Sequence, residues 1–486
     1  MRTKRVQALM ALVLACGLIL ISTSLFAQTP VQRPKTHALV PISPLHSVNS
    51  QSPAVPSGPL HQIAPQGPRL NGPTVNLNIF GIDYYNSLGI GVKCHCYPPD
   101  TNAAVSPNWV VETVNSAFAV WDKSGNLQAG YPQPLSNIFP SGFGSDPYVE
   151  YDEMADRWYI AAITSDLSSL ELAVSNDGNP LNGFVVYSVF TGYVPDYPKM
   201  GWNKDAVFIS FNNFFVDANI NVLAFDKANF NNHYISASPV FQFRAAPPAQ
   251  MHGDTTGGTE WFISVTDGAD GFGASNTILV SKVTNYLSNS PHYAFYPLTV
   301  PTTYNGPLYY ADQPGGIINV FPSTTTTQVQ WHNNQMVTAQ AASTPADGFG
   351  YLKGLWYEVS THGGTPRLMQ EGLVDPSPGQ LPGVAVQMPS IDMNIHLGFG
   401  LSWMESSVNE YLSMWVGSRP AIFPRNAYNA TQSAPGTGFM YYNGRLGDYS
   451  STVVDPTDGV TFWSANEYMG SNGLSDIWLT NITSFR

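Results

Sequence analysis

Three observations predict an all-β chain folded as a seven-bladed β-propeller. First, from about Val75 to Arg486, short runs rich in Val, Ile, Tyr, Phe and Trp alternate with clusters of Gly, Pro, Asn and Asp, which reads as strands separated by turns. Second, no stretch of helical length carries a 3.6-residue apolar period. Third, one strand–turn–strand phrase recurs. It is DPYVEYDEMADRWYIAA from Asp146 to Ala162 and DYSSTVVDPTDGVTFWSA from Asp448 to Ala465. Looser copies begin at Asp100, Asp196 and Met388. A repeat with so long a period means stacked supersecondary units. A body this long is large for one sandwich, whereas a propeller adds a four-stranded sheet per unit.

The chain opens with MRTKR and an apolar run from Val6 to Leu20 that continues to Phe26, then Ala27-Gln28. A basic start, an apolar middle and a small residue at the end read as a secretory signal peptide over residues 1–27. A retained anchor is the alternative, since the run is just long enough to span a bilayer. Residues 28–73 are rich in Pro, Gln and Ser and nearly free of aromatics. That composition favours an extended, disordered linker. Residues 75–486 are expected to form the propeller domain.

The full chain carries 20 basic and 33 acidic residues, a net charge of −13. Loss of Arg2, Lys4 and Arg5 with the leader takes it to −16. A surface this acidic argues against nucleic acid and against anionic membrane. Charged residues are only 11 % of the chain and aromatics are 13 %. This is the balance of a turn-rich extracytoplasmic β protein rather than an acidic disordered tail. Cys94 and Cys96 flank His95. They read as a local disulfide or free thiols in an oxidising compartment, with a soft-metal site as the lesser alternative.

Seven units start at Asp100, Asp146, Asp196, near Gln250, near Gln328, at Met388 and at Asp448. Six or eight are the near alternatives. The fourth and fifth lack a clean Asp start. Val75 to Ile82 is expected to close the ring beside the last strand, IWLTNITSF. Asp156-Arg157 and Asp458-Gly459 reverse the chain. Trp158, Trp202, Trp403 and Trp463 then fill the wedge between neighbouring sheets. The long stretch from Asn285 to Thr327, with its Thr324–Thr327 tract, suits a binding loop.

Inner-strand starts gather round one mouth of an axial tunnel, so Asp100, Asp146, Asp196 and Asp448 are expected to converge. Tyr197 and Tyr449 follow two of them directly. Lys199, Arg445, His252 and Asp254 fall in equivalent or adjoining positions, and Glu467 lies in the loop after the last unit's second strand. An aspartate at a strand start also caps backbone N–H groups, so each has a purely structural reading. Several carboxylates facing one small volume repel, and something must compensate them. With oxygen donors alone the cation is Ca²⁺, held by Asp100, Asp146, Asp196 and Asp448. Arg445 and Lys199 are the competing compensators, and Arg binds a sugar carboxylate in bidentate fashion. No nucleophile elbow, zinc-protease helix, phosphate loop or EF-hand loop is present.

The motifs PPDTN (Pro98–Asn102), DPYVEYDEMADRW, DYPKMGW (Asp196–Trp202), MPSIDM (Met388–Met393), GDYSSTVVDPTDGVTFWSANEY (Gly447–Tyr468) and the closing WLTNITSF resemble a family of exported bacterial β-propeller proteins, often labelled sialidase-like. The likeness spans roughly Pro98 to Arg486 and implies the fold without implying a reaction. The sialidase label would bring an arginine triad and repeated boxes of the type S-x-D-x-G-x-T-W. MPSIDM keeps only its Ser-x-Asp.

Two functions fit these residues. One is a secreted propeller acting on polysaccharide as a hydrolase or lyase. Asp146, Asp196 or Asp448 would be its acid or base, with Tyr197 or Tyr449 assisting, and Lys199, Arg445, His252, Asp254 and Glu467 would hold the glycan. The other is a non-catalytic scaffold of the cell envelope that binds glycan or protein. Either is expected as a monomer.

Overall fold

The computed structural model describes residues 35–37, 72–89, 96–213, 220–235, 246–265, 275–305, 310–320, 328–345, 348, 350–378, 382–420, 428–441, 445–471 and 476–486. The expected leader, most of the linker, Cys94, His95 and the Thr324–Thr327 tract lie outside them. Cys96 is in a disulfide.

The regular structure of the described chain is nearly all strand. β1 (Lys35–His37) lies in the stretch read as linker and pairs with a strand of the second group below. β2 (Val75–Asp83) precedes the one α-helix among the described residues, α1 (Tyr84–Gly89). Antiparallel groups follow among the described residues, the third and fifth below sharing one nine-stranded sheet. The first is β3 (Asn102–Val105), β4 (Trp109–Val114), β5 (Ala117–Asp122) and β6 (Gln133–Pro134). The second is β7 (Phe143–Asp152), β8 (Arg157–Thr164), β9 (Ser169–Ser175) and β10 (Phe184–Phe190). The third is β11 (Pro195–Trp202), β12 (Ala206–Asn213), β13 (Ile220–Asp226) and β14 (Asn232–Tyr234). In the fourth, β15 (Ala249–His252) meets β16 (Thr259–Val265) through the Pro248–Phe262 bridge, and β17 (Ser275–Thr284) and β18 (His292–Tyr304) follow. A hairpin, β19 (Tyr310–Gln313) and β20 (Gly316–Asn319), is inserted next. The fifth is β21 (Val329–His332), β22 (Gln335–Ser343), β23 (Leu352–Ser360) and β24 (Arg367–Val374). The sixth is β25 (Ala385–Met393), β26 (Phe399–Ser407), β27 (Glu410–Arg419) and β28 (Asn429–Ala434). The last is β29 (Ser451–Val454), β30 (Phe462–Ser471) and β31 (Asp476–Phe485), with β2 added at its outer edge.

That addition joins the two ends of the body, as the sequence predicts. β2 runs antiparallel to β31, with Ile79 opposite Ile482. Glu112 of β4 accepts the Ile82 N–H at 2.8 Å and so ties the closing strand to the first group. The first strands of the groups also touch in cyclic order: β3, β7, β11, β15, β21, β25, β29 and back to β3. Backbone hydrogen bonds join only part of this circuit, in parallel, from β11 to β15 to β21. Elsewhere side chains do the joining. Asn102 accepts the Val149 N–H at 2.8 Å, Ser451 accepts the Ala103 N–H at 2.9 Å, and Asp392 accepts the Val454 N–H at 2.6 Å. Buried polar residues are therefore needed along the circuit, because unpaired backbone groups there would each cost on the order of 1–3 kcal/mol.

Between neighbouring groups the faces are apolar. Trp158 is wholly buried with Val111, Phe118 and Val149. Trp202 packs with Tyr148, Leu172 and Val207, and Trp403 with Val337, Trp356 and Ile391. Trp463 is 4 % exposed. All four tryptophans are core, as expected of rings that fill a widening wedge.

Each unit start read from the sequence falls on or just before a first strand. One alignment needs correction. Asp146, Tyr197 and Met388 each precede a proline and each adopt a left-handed φ, of 55°, 56° and 42°. A β-bulge follows each, where the register slips between Ser145 and Tyr148, Asp196 and Lys199, and Gln387 and Ser390. Tyr197, not Asp196, is thus the structural counterpart of Asp146. Matching Asp to Asp slips the repeat by one residue.

Candidate functional site

The first strands carry polar side chains at both ends, and the two ends differ in chemistry. At the starting end Asp100, Asp146, Asp196 and Asp448 interact electrostatically, as do Arg445 and Lys199. Four sequence-distant segments meet here because the circuit of first strands brings their entries together.

Much of this cluster is structural. Asp100 is 1 % exposed. Its Oδ1 accepts the Asp448 N–H at 2.9 Å and its Oδ2 accepts from Asn115 Nδ2 at 2.5 Å. Asp146 Oδ2 accepts the Tyr197 N–H at 3.1 Å, and Asn115 Oδ1 accepts the Asp146 N–H at 2.9 Å. These bonds lace the entry of one group to the next. Asn115 was missed from the sequence; it sits in an Asn-Ser turn between β4 and β5, with nothing local to distinguish it. Tyr449 is 1 % exposed and its hydroxyl donates to the Pro198 carbonyl, so it does not face an open site. The Tyr197 hydroxyl donates to the Asp448 carbonyl at 2.9 Å. Glu467 is not in a loop. It lies in β30, 1 % exposed, and its Oε2 accepts the Gly447 N–H at 2.9 Å.

The more open part comprises Arg445, Asp448 and Asp196. Arg445 Nη1 donates to Asp448 Oδ1 at 2.6 Å, and the two side chains are 29 % and 14 % exposed. Burial holds the Asp146 carboxyl up to about 7, helped by Asp196 and Asp448. Burial and then Asp448 raise Asp196, and the same two causes hold Asp100 far above the usual carboxylate range. Glu467 is pushed up to about 8 by burial. Burial drives Lys199 well below the usual lysine range, against the pull of Asp448, Asp196 and Asp146. Its Nζ has no hydrogen-bond partner and stands 2.8 Å from the Tyr197 ring centre. For Arg445, burial works against the charge, but Asp448 outweighs it and the guanidinium is held more firmly. Arg445 is the cation paired within the cluster, and each of the four aspartates has an oxygen engaged by a protein donor.

The structure does not bring His252 and Asp254 to this end. Asp254 caps a turn, accepting N–H groups of Thr256, Gly257 and Lys204. His252 ends β15 and its Nδ1 lies 3.2 Å from Glu153 Oε2, just past the end of β7. Seven residues separate Glu153 from Asp146, on the order of 20 Å along a strand.

That far end holds a cavity of about 160 Å³ lined by Glu150, Tyr151, Glu153, Gln250, His252, His332, Met393, Ile395 and Asp455, among others. His252 and His332 are directly paired in the parallel β15–β21 ladder. Their rings consequently stack, with centres 4.5 Å apart and planes 4° from parallel. His252 Nε2 is 3.0 Å from Gln330 Oε1, and His332 Nε2 is 2.7 Å from Asp392 Oδ1. Burial opposes the His252 charge, but Glu153, Asp392 and Gln330 together outweigh it and the imidazole is raised to about 9. His332, Asp392, Glu150 and Glu153 were not singled out from the sequence. Their one signal is position, since each ends or nearly ends a first strand.

No family model matches the chain, and no curated protein matches it. Among solved structures, a protein of unknown function from Dyadobacter fermentans is 9 % identical, covering 86 % of this chain and 100 % of its own, at a TM-score of 0.41. Phage phi92 endosialidase is 8 % identical over 84 % and 69 %, at 0.40. A GH43 glycoside hydrolase engineered for endo-xylanase and exo-arabinofuranosidase activity is 9 % identical over 80 % and 96 %, at 0.32. Likenesses this distant assign no activity. No helix among the described residues is long and apolar enough to cross a membrane.

Proposed function

We propose that this chain is an exported, monomeric seven-bladed β-propeller that binds an extracellular polysaccharide at the starting end of its first strands. One observation carries the reading. Arg445 and Asp448, three residues apart, meet Asp196 from a distant part of the chain and form with it a half-open face of unlike charges above a buried, braced layer. Alternating donors and acceptors of this kind suit sugar hydroxyls, and Arg445 can exchange Asp448 for a sugar carboxylate. Asp100, Asn115 and Glu467 brace that face from behind. The chain's acidity leaves nucleic acid out of this reading.

Asp146, raised to about 7, supplies a proton donor near neutral pH if the bound glycan is also cleaved. The bonds that tie Asp100 and Asp146 to backbone N–H groups favour the second reading, binding without turnover. A polysaccharide panel separates the two. Binding is measured by calorimetry on wild type, Arg445→Ala and Asp196→Asn, and new reducing ends or unsaturated uronates are assayed in parallel. The expected result is binding to at least one glycan, weakened about tenfold or more in Arg445→Ala. Products lost in Asp146→Asn mark a hydrolase or lyase. A panel with no binder, or binding indifferent to both substitutions, overturns the proposal.

A further inference from the structure

The opposite end of the first strands offers different chemistry. Ligand-type atoms of His252, His332 and Asp392 all lie within 4.8 Å of one another, the one such group of three among the described residues. We propose that His252, His332 and Asp392 form a binding site for a single divalent transition-metal ion of the zinc class. This site is independent of the polysaccharide face.

Four observations carry it. The first is the donor set, two imidazoles and one carboxylate, which suits borderline divalent metals such as zinc better than calcium or magnesium. The second is preorganisation. His252 and His332 are held side by side by the β15–β21 ladder, and Asp392 is held by its Oδ2 bond to Val454 N–H. Each ligand thus comes from a first strand rather than from a loop. The third is an outer layer. Glu153 lies 3.2 Å from His252 Nδ1, the carboxylate–histidine contact that orients metal-bound imidazoles and strengthens them as donors. The fourth is access. The cavity of about 160 Å³ is lined by both histidines and leaves room for water or a ligand atom in the remaining coordination positions.

The geometry also states what must change on binding. His332 Nε2 and Asp392 Oδ1 now share a hydrogen bond of 2.7 Å. An ion between them takes the place of the shared proton and, in tetrahedral geometry, spreads the two atoms by roughly 0.6 Å. The parallel rings must tilt so that their lone pairs converge, since ligand bonds lie near 2.0–2.1 Å from zinc. His252 Nε2 must also leave Gln330 Oε1, now 3.0 Å away; all of these are side-chain rotations, and the strands stay where they are.

The test uses the folded protein freed of metal by dialysis against a chelator. Zinc chloride is titrated by calorimetry, and Co²⁺ is added separately to read the visible d–d bands of a nitrogen–oxygen site. One ion per chain is expected, with a zinc-induced rise in melting temperature. His332→Ala should weaken binding at least tenfold, and His252→Ala/His332→Ala should abolish it and the cobalt spectrum together. Asp392 also caps a backbone N–H, so its substitution is uninformative if the protein unfolds; the His332 variant, at a side chain 21 % exposed, keeps the test sharp. Absence of zinc binding in the wild type overturns the proposal. So does a zinc isotherm unchanged in the double histidine variant, which would place the ion elsewhere on the chain.

Discussion

Glu467→Gln should make this protein more stable at pH 8. Glu467 is 1 % exposed in β30, one of its oxygens accepts the Gly447 N–H, and the other has no partner. Burial lifts its carboxyl from 4.5 to about 8. In the unfolded chain it returns to the ordinary range. Below pH 4.5 both states hold the proton, and wild type and variant differ little. As the pH rises from 4.5 to 8 the unfolded chain ionises and the folded chain does not, so wild-type stability falls by about 1.4 kcal/mol per pH unit. The loss is complete above pH 8 and reaches about 5 kcal/mol if the site stays dry, less if water enters. Glutamine keeps the acceptor for Gly447 and cannot ionise, so it escapes the loss. Urea midpoints at pH 4.5, 6 and 8.5 for both proteins give the difference directly. An advantage of the variant that grows across this range is the expected result. An equal difference at pH 4.5 and 8.5 would refute the reasoning that burial alone governs this group.

Two further outcomes follow from the same geometry. Asn115→Ala removes the acceptor of the Asp146 N–H and the donor to Asp100 and to the Pro98 carbonyl. It should cost about 2–4 kcal/mol, read as a lower urea midpoint, because buried partners are left unmet. Deleting residues 72–83 removes β2 and bares the edge of β31. The shortened chain should aggregate at micromolar concentration, seen by light scattering, since an open apolar edge pairs with copies of itself.

Much of the fold was legible in the sequence, and the reason is local. A turn residue, an X-Pro step and period-two alternation are properties of a few neighbouring residues. Asp100, Asp146, Met388 and Asp448 therefore mark strand entries without reference to anything distant. The closing partnership of Val75–Asp83 with the last strand was legible too, because a strand with an apolar face left over at one end of the chain needs an edge at the other. The one-residue slip at Asp196 comes from matching side-chain type where backbone conformation is what repeats. Asp146 and Tyr197 share a left-handed φ ahead of proline although their side chains differ.

The candidate sites divide in the same way. That acidic side chains gather at strand entries follows from the repeat itself, so Asp100, Asp146, Asp196 and Asp448 can be grouped from the order of residues alone. Whether each carboxylate faces solvent or a backbone N–H depends on the neighbouring sheet, and tertiary packing turned Asp100, Tyr449 and Glu467 inward. The histidine end was invisible in one dimension. His252 and His332 each end a short first strand and Asp392 nearly ends a longer one, but only the parallel register of β15 with β21, and the seating of β25 beside them, sets them within reach of one another. Local sequence specifies where a strand begins and which face is apolar; which strands become neighbours is settled by burying those faces against each other, and that long-range choice places the chemistry.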